Sequence, residues 1–208
     1  MEIEYKGANC VVITTKKATL TVDPNLSAVG LKDVTPKDAI VLATQADFAL
    51  KSGVVTIDRP GEYEVSNITV VGVPAKRIID HEDVQQATMY RIATGEVTIA
   101  VVGHVVTPLS EEQLEALGVV DVAIVPVGGG GYTLDAHQAV AVVRQLDPKV
   151  VIPTHFADKG TKYEVPQMEL EPFLKELGVE VHETMPKWKV KNGMIPDALQ
   201  VIELTRSA

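Results

Sequence analysis

Two histidines occupy the positions in this sequence where chemistry is most readily placed. His104 follows the apolar run 97–102, and His155 follows the apolar run 149–153. Both runs read as strands, and the carboxyl ends of strands in α/β sheets are where ligands bind. Histidine can serve there as a neutral nitrogen ligand or as a base near neutral pH. Either residue alone reads as structural, but two in matching positions point to a shared cleft. Asp23 also follows a strand-like run, 18–22, and precedes Pro24. It can orient a ligand or cap a turn. Glu62 lies in the turn chemistry of residues 58–65 (DRPGEYEV). His81, His137 and His182 sit among charged or helical neighbours and read as surface residues, and Cys10 reads as an inert core residue.

Gly128, Gly129, Gly130 and Gly131 stand between a strand and a helix. Their amides can cradle a phosphate, but the run matches neither glycine-rich nucleotide motif. A tight strand-to-helix turn is the plainer reading. The chain has no G-x-S-x-G elbow, no H-E-x-x-H and no H-x-H pair.

The elements that must position these residues fall into two halves. Short β-branched or alternating runs dominate the first hundred residues: 3–5, 10–15, 18–22, 39–43 and 54–57. Residues 63–65 with 68–74, and 86–92 with 97–102, read as hairpins. The second half alternates strand and helix. Ser110 and Gln113 form a capping box that opens a helix ending near Gly118. Residues 134–146 have helical spacing, with Thr133 and Asp135 as candidate caps. Residues 168–177 contain a short helix with Pro172 in its first turn and Gly178 at its end. Strands are predicted at 121–126, 149–153, 180–183, 187–190 and 199–204. Such an order implies mixed sheets covered by helices.

Composition bounds the rest. The chain has 208 residues, which suits one domain spanning 1–208. It carries 19 Lys+Arg against 28 Asp+Glu, a net charge of −9. That charge argues against nucleic acid and against anionic membrane surfaces as partners. No targeting or spanning segment is visible, so cytoplasmic residence is expected. One cysteine cannot build a thiolate zinc site, so any transition metal must be held by the five histidines and by carboxylates.

The pieces resemble the metallo-β-lactamase fold superfamily, in the branch of small predicted zinc-dependent hydrolases near the ascorbate-6-phosphate lactonases. The resemblance runs nearly end to end. It is carried by residues 21–24 (TVDP), 58–65, 72–74 (GVP), 108–118 (PLSEEQLEALG), 120–129 (VDVAIVPVGG), 132–136 (YTLDA) and 151–155 (VIPTH). It implies an α+β, αββα four-layer sandwich: two mixed sheets face to face with helices outside. It also implies a metal centre built from a T-H-x-H-x-D-H motif, a later Gly-Asp and a closing histidine.

The sequence departs from that motif. Residues 41–50 read VLATQADFAL. Thr44 matches the motif's threonine, Gln45 and Asp47 replace its first two histidines, and Ala49 and Leu50 replace Asp-His. Gly103-His104 stands at the Gly-Asp position, and Lys76 and Arg77 occupy a stretch where a histidine is common. His155 alone survives in kind, with Asp23 and Glu62 as neighbours of the site.

The resulting expectation is a degenerate metal site with no cofactor, in a pseudoenzyme that binds a small molecule or a protein. The ligand residues would be Asp23, Thr44, Gln45, Asp47, Glu62, His104 and His155. Lys76 and Arg77 could receive an anion. The alternative is a metal-dependent hydrolase of a lactone, ester or phosphodiester, with one zinc or manganese ion on His104, His155 and Asp47. A metal-free enzyme using a histidine base oriented by Asp23 ranks third. Exposed sheet edges suggest a homo-oligomer.

Overall fold

The computed structural model describes residues 1–35, 37–50, 55–79, 86–190, 193 and 195–207. His81 lies outside the described residues, so its expected surface position is not addressed.

Fourteen described strands form two mixed sheets. The first holds β1 (Glu2–Gly7), β2 (Cys10–Thr14), β3 (Thr19–Val22), β4 (Ala39–Leu42), β5 (Val55–Ile57) and β13 (Lys187–Lys189), in the order β13-β1-β2-β3-β4-β5. The second holds β6 (Gly61–Val65), β7 (Ile68–Ala75), β8 (Ala87–Ala93), β9 (Thr98–Val101), β10 (Val122–Pro126), β11 (Val150–Thr154), β12 (Val181–Met185) and β14 (Gln200–Leu204). Their order is β12-β14-β11-β10-β9-β8-β7-β6. Strands β3, β4 and β5 run parallel in the first sheet, as do β9, β10, β11, β14 and β12 in the second.

The sequence pattern explains the two-sided burial. β10 is buried at all five positions. Its Val122 and Ile124 enter the layer between the sheets, and Ala123 and Val125 face the other way. A strand buried on both faces needs a continuous apolar run rather than alternation. β1 alternates instead, with Ile3 and Tyr5 buried in the inter-sheet layer.

Helices α1 (Glu111–Leu117), α2 (Ala136–Leu146) and α3 (Glu171–Leu177) pack on the outer face of the second sheet through Leu117, Val140, Val143 and Phe173. The outer face of the first sheet carries the 3-10 turn Leu26–Val29, with Leu26 packed on Cys10 and Ala8. The sandwich is therefore as the resemblance implies.

Local signals hold as well. Ser110 and Gln113 close the capping box of α1, and Gly178 ends α3 in the left-handed conformation. The β6–β7 hairpin turns on Ser66 and Asn67, both at positive φ (54° and 55°). Two such residues give the turn that matches strand twist. Helix α2 begins at Ala136, two residues later than its spacing predicts, because Asp135 is its N-cap and pairs with Gln138 in a second capping box.

Candidate active site

The parallel strands of both sheets end on one rim of the sandwich, and the candidate residues gather there. Asp23 follows β3, Thr44 and Gln45 follow β4, His104 follows β9, and His155 follows β11. Two bonds stitch the sheets together at this rim. The Thr88 amide donates to the Thr44 carbonyl at 2.8 Å, and the Tyr90 hydroxyl donates to the Ala43 carbonyl at 2.7 Å.

Asp23 is the hub of a buried network. Its carboxylate accepts from the Thr44 amide, the Thr44 hydroxyl and the Asn9 amide nitrogen, each at 2.7 Å. Asn9 Oδ1 accepts in turn from the Thr154 hydroxyl at 2.9 Å. Four chain segments are thereby pinned around one carboxylate. Burial raises the Asp23 carboxyl to about 6, and the hydrogen bonds from Thr44 and Asn9 oppose that rise.

The two histidines meet. Their ring centroids lie 4.6 Å apart with planes at 87°. His155 adopts a positive φ of 52°, an uncommon conformation for a residue other than glycine. It is held there by its amide, which donates to the Ala8 carbonyl at 2.8 Å. His155 Nδ1 lies 3.2 Å from Gln167 Oε1. His104 Nδ1 lies 3.2 Å from Gln45 Nε2, and Gln45 Oε1 accepts from Arg77 Nη1 at 3.0 Å.

Among the described residues, His104 Nε2 is buried without a hydrogen-bond partner. A ligand, a water or an ion can satisfy such an atom. Burial holds the His104 imidazole well below its ordinary range, with His155 and Arg77 adding to the effect. Burial brings His155 down to about 4. Both rings are therefore neutral at neutral pH.

A cavity of about 140 Å³ opens on this pair, lined also by Asn9, Asp23, Phe48, Tyr132, Tyr163 and Gln167. Engineered cavities of ~150 Å³ admit a benzene ring, so the cavity suits a small ligand or one end of a larger one. Tyr132 lies 4.9 Å from His104, and Tyr163 lies 4.7 Å from His155, between ring centroids. Burial raises both phenols, which stay protonated.

The structure separates the other candidates from this cavity. Gln45 contacts His104, and Thr44 supports Asp23 from below. Asp47 is exposed and lines a different depression with Asp58, Arg59 and Arg77. Glu62 is exposed on β6. Arg77 donates to Gln45 and Gln86, and His137 and His182 are exposed. The glycine run is a turn: Gly129, Gly130 and Gly131 have φ of 69°, 71° and 74°. The Gly129 amide is spent on the Leu134 carbonyl at 2.9 Å. Sequence reasoning missed Asn9, Phe48, Tyr132, Tyr163 and Gln167 as site residues. Of these, only Tyr132 carried a signal, by following the glycine run.

Comparison with known proteins places these features in a family. A family model described as a beta-lactamase superfamily domain matches residues 2–155. A protein of Nanoarchaeum equitans, named a UPF0173 metal-dependent hydrolase, is 27% identical over 188 residues, covering 75% of this chain and 84% of its own. A solved structure from Thermotoga maritima, whose name assigns it by inference to Zn-dependent hydrolases of the metallo-β-lactamase superfamily, superposes with a TM-score of 0.73 at 23% identity. It covers 98% of this chain and 97% of that one. Igni18, a metallo hydrolase of Ignicoccus hospitalis, superposes with a TM-score of 0.63 at 19% identity, covering 91% and 99%.

These names correct the expectation of a protein without a cofactor. The relatives are named for metal-dependent hydrolysis, so a lost T-H-x-H-x-D-H motif is no ground for excluding a metal. The donor set limits what can be held. Among the described residues, no group of three or more His, Cys, Asp or Glu side chains is placed to hold an ion. Asp23 already accepts three hydrogen bonds. Two neutral imidazoles are fewer than the three protein ligands usual at a catalytic zinc, so they fit at most a single ion that keeps open positions for water, and do not fit two. The strand order, the rim site and the family match over residues 2–155 agree: the chain belongs to the metallo-β-lactamase superfamily.

Proposed function

We propose that the protein is a hydrolase of a small lactone, ester or phosphodiester, working at the His104–His155 pair with one divalent ion. The observation that carries this reading is the meeting of two buried, neutral imidazoles at strand ends. Family membership and the names of the relatives support hydrolysis over a purely non-catalytic role. A bound ion supplies hydroxide near neutral pH and polarises the scissile carbonyl or phosphoryl oxygen. The chain's own residues do the rest. Gln45 and Gln167 orient the two rings. Phe48, Tyr132 and Tyr163 wall the cavity. The cavity volume restricts the reacting end of the substrate to a small group.

The test is direct. Untagged protein is dialysed against zinc or manganese, the bound ion is counted per chain, and a panel of lactones, esters and phosphodiesters is assayed. About one ion per chain is expected, by the single open site argued above, with both ion and hydrolysis lost in His155→Ala. No bound ion, no rise in Tm on adding metal and no hydrolysis would overturn the reading.

A further inference from the structure

The two glutamines beside the imidazoles differ in what else they touch, and that difference fixes where the ring protons sit. One terminal atom of Gln45 contacts Arg77 Nη1 at 3.0 Å. A guanidinium has only donors, so that atom is the amide oxygen. The other terminal atom, the NH₂ group, then faces His104 Nδ1 at 3.2 Å. A donor facing Nδ1 requires a lone pair there, so the proton of the neutral ring is on Nε2.

Gln167 is arranged the other way round. One of its terminal atoms contacts the Val165 carbonyl at 2.7 Å. A carbonyl only accepts, so that atom is the NH₂ group. The oxygen therefore faces His155 Nδ1 at 3.2 Å, and Nδ1 carries the proton. The amide orientations follow from these fixed partners rather than from free choice.

We infer that Gln45 and Gln167 hold the two histidines in opposite tautomers, His104 with an Nε2–H and His155 with a bare Nε2. In the ligand-free protein, the facing imidazoles are thus a donor and an acceptor. The unpartnered His104 Nε2 is an N–H that lacks an acceptor oxygen, and a carbonyl or phosphoryl oxygen of a ligand supplies one. His155 Nε2 is the ready lone pair for a proton or an ion.

Where this inference rests on the proposed ion, it adds one consequence. For His104 to join His155 in holding an ion, the Gln45 amide would have to turn over and present its oxygen to an Nδ1–H. That turn faces the NH₂ group towards Arg77 and costs the Arg77–Gln45 bond. Metal-bound histidines ordinarily donate their second N–H to an acceptor such as a carboxylate, and outer partners of this kind change metal affinity by roughly 10–100-fold. Gln45 is thus a positioning residue that would keep His104 off an ion until its amide turned.

Nitrogen-15 NMR of the histidine side chains in the full, metal-free chain reads the tautomers directly. His104 protonated at Nε2 and His155 protonated at Nδ1 are expected. The same tautomer at both rings, or the reverse pair, would overturn the inference without any variant being made. In Gln45→Glu the carboxylate can keep Arg77 and accept from His104 Nδ1–H. The His104 signal should switch tautomer, and zinc affinity measured against a chromophoric chelator should tighten by about tenfold or more. A folded Gln45→Glu protein with an unswitched His104 would also refute the inference. If the tautomers are as assigned but neither protein takes up zinc, the inference stands and the ion-dependent hydrolase reading fails.

Discussion

Gly128→Ala is expected to lower the melting temperature by roughly 6–12 °C and to loosen His155 from its place. A Cβ at residue 128 would collide with the His155 carbonyl oxygen and with Gln167 Oε1. The first of these is backbone, so no side-chain rotation relieves it. Overpacking costs typically about 1–3 kcal/mol, and a collision with backbone puts this one at the upper end, about 3 kcal/mol. In a domain of this size each kcal/mol moves Tm by about 2–4 °C. The displaced atoms are those of the site, because His155 sits at positive φ and its amide bond to Ala8 holds the ring over the cavity. Hydrogen exchange at the His155 amide should therefore accelerate well beyond the rest of β11.

Gly131→Ala serves as the control. A Cβ there meets nothing within 4 Å, and the positive φ of 74° is its sole difficulty. Its cost should be about 1–2 kcal/mol, with the His155 amide undisturbed. A Gly128→Ala protein that melts within 2 °C of the parent, by the same scale, would show that the strand-to-helix turn can shift to make room.

Much of this fold could be read in the sequence because its signals are local. Ser110 and Gln113 are three residues apart, and a capping box needs no other information. The all-apolar β10 and the alternating β1 declare how many faces they bury. His104 and His155 were legible for a related reason: each directly follows a strand, and the ends of parallel strands share a rim.

The remainder of the site was not legible because irregular chain delivers it. Gln167 reaches His155 from twelve residues away through a segment without periodicity. Asn9 reaches Asp23 from the β1–β2 turn, and its other partner is Thr154. Neither position carries a spacing that a sequence can display. Asp47 and Glu62 stand apart from the cavity. Proximity in a motif suggested a place in the site, but a strand turns successive side chains to opposite faces. Glu62 falls on the exposed face of β6, and Asp47 lies in a 3-10 turn that points it outward. The glutamine at position 45 looked like a lost ligand. Its partners Arg77 and His104 make it the residue that decides the His104 tautomer.

Asp23→Ala is expected to destabilise the fold by an amount that depends on pH. The substitution leaves three buried donors without an acceptor: the Thr44 amide, the Thr44 hydroxyl and Asn9 Nδ2. Orphaned buried groups cost about 1–3 kcal/mol each. The same substitution also removes a carboxyl that ionises against its surroundings. In the native state Asp23 titrates at about 6, above its ordinary 3.8. Between those values the folded chain binds more protons than the unfolded chain, so stability falls as pH rises. The penalty is absent below about pH 4 and complete above about pH 6, where a shift of this size is worth about 3 kcal/mol.

Removing Asp23 removes that penalty along with the hydrogen bonds. The loss from Asp23→Ala should therefore be on the order of 3–5 kcal/mol at pH 4.5 and about 2 kcal/mol smaller at pH 8. Urea unfolding of both proteins at the two pH values isolates the effect, because the other titrating groups cancel in the difference. An equal loss at both pH values would mean that Asp23 ionises freely and that burial does not govern it. A loss below about 1 kcal/mol at pH 4.5, less than one orphaned donor is worth, would mean that the rim network does not hold the four segments together. The predicted pattern makes Asp23 a structural clamp beneath the histidine pair, fixing the loops that carry Thr44 and His155.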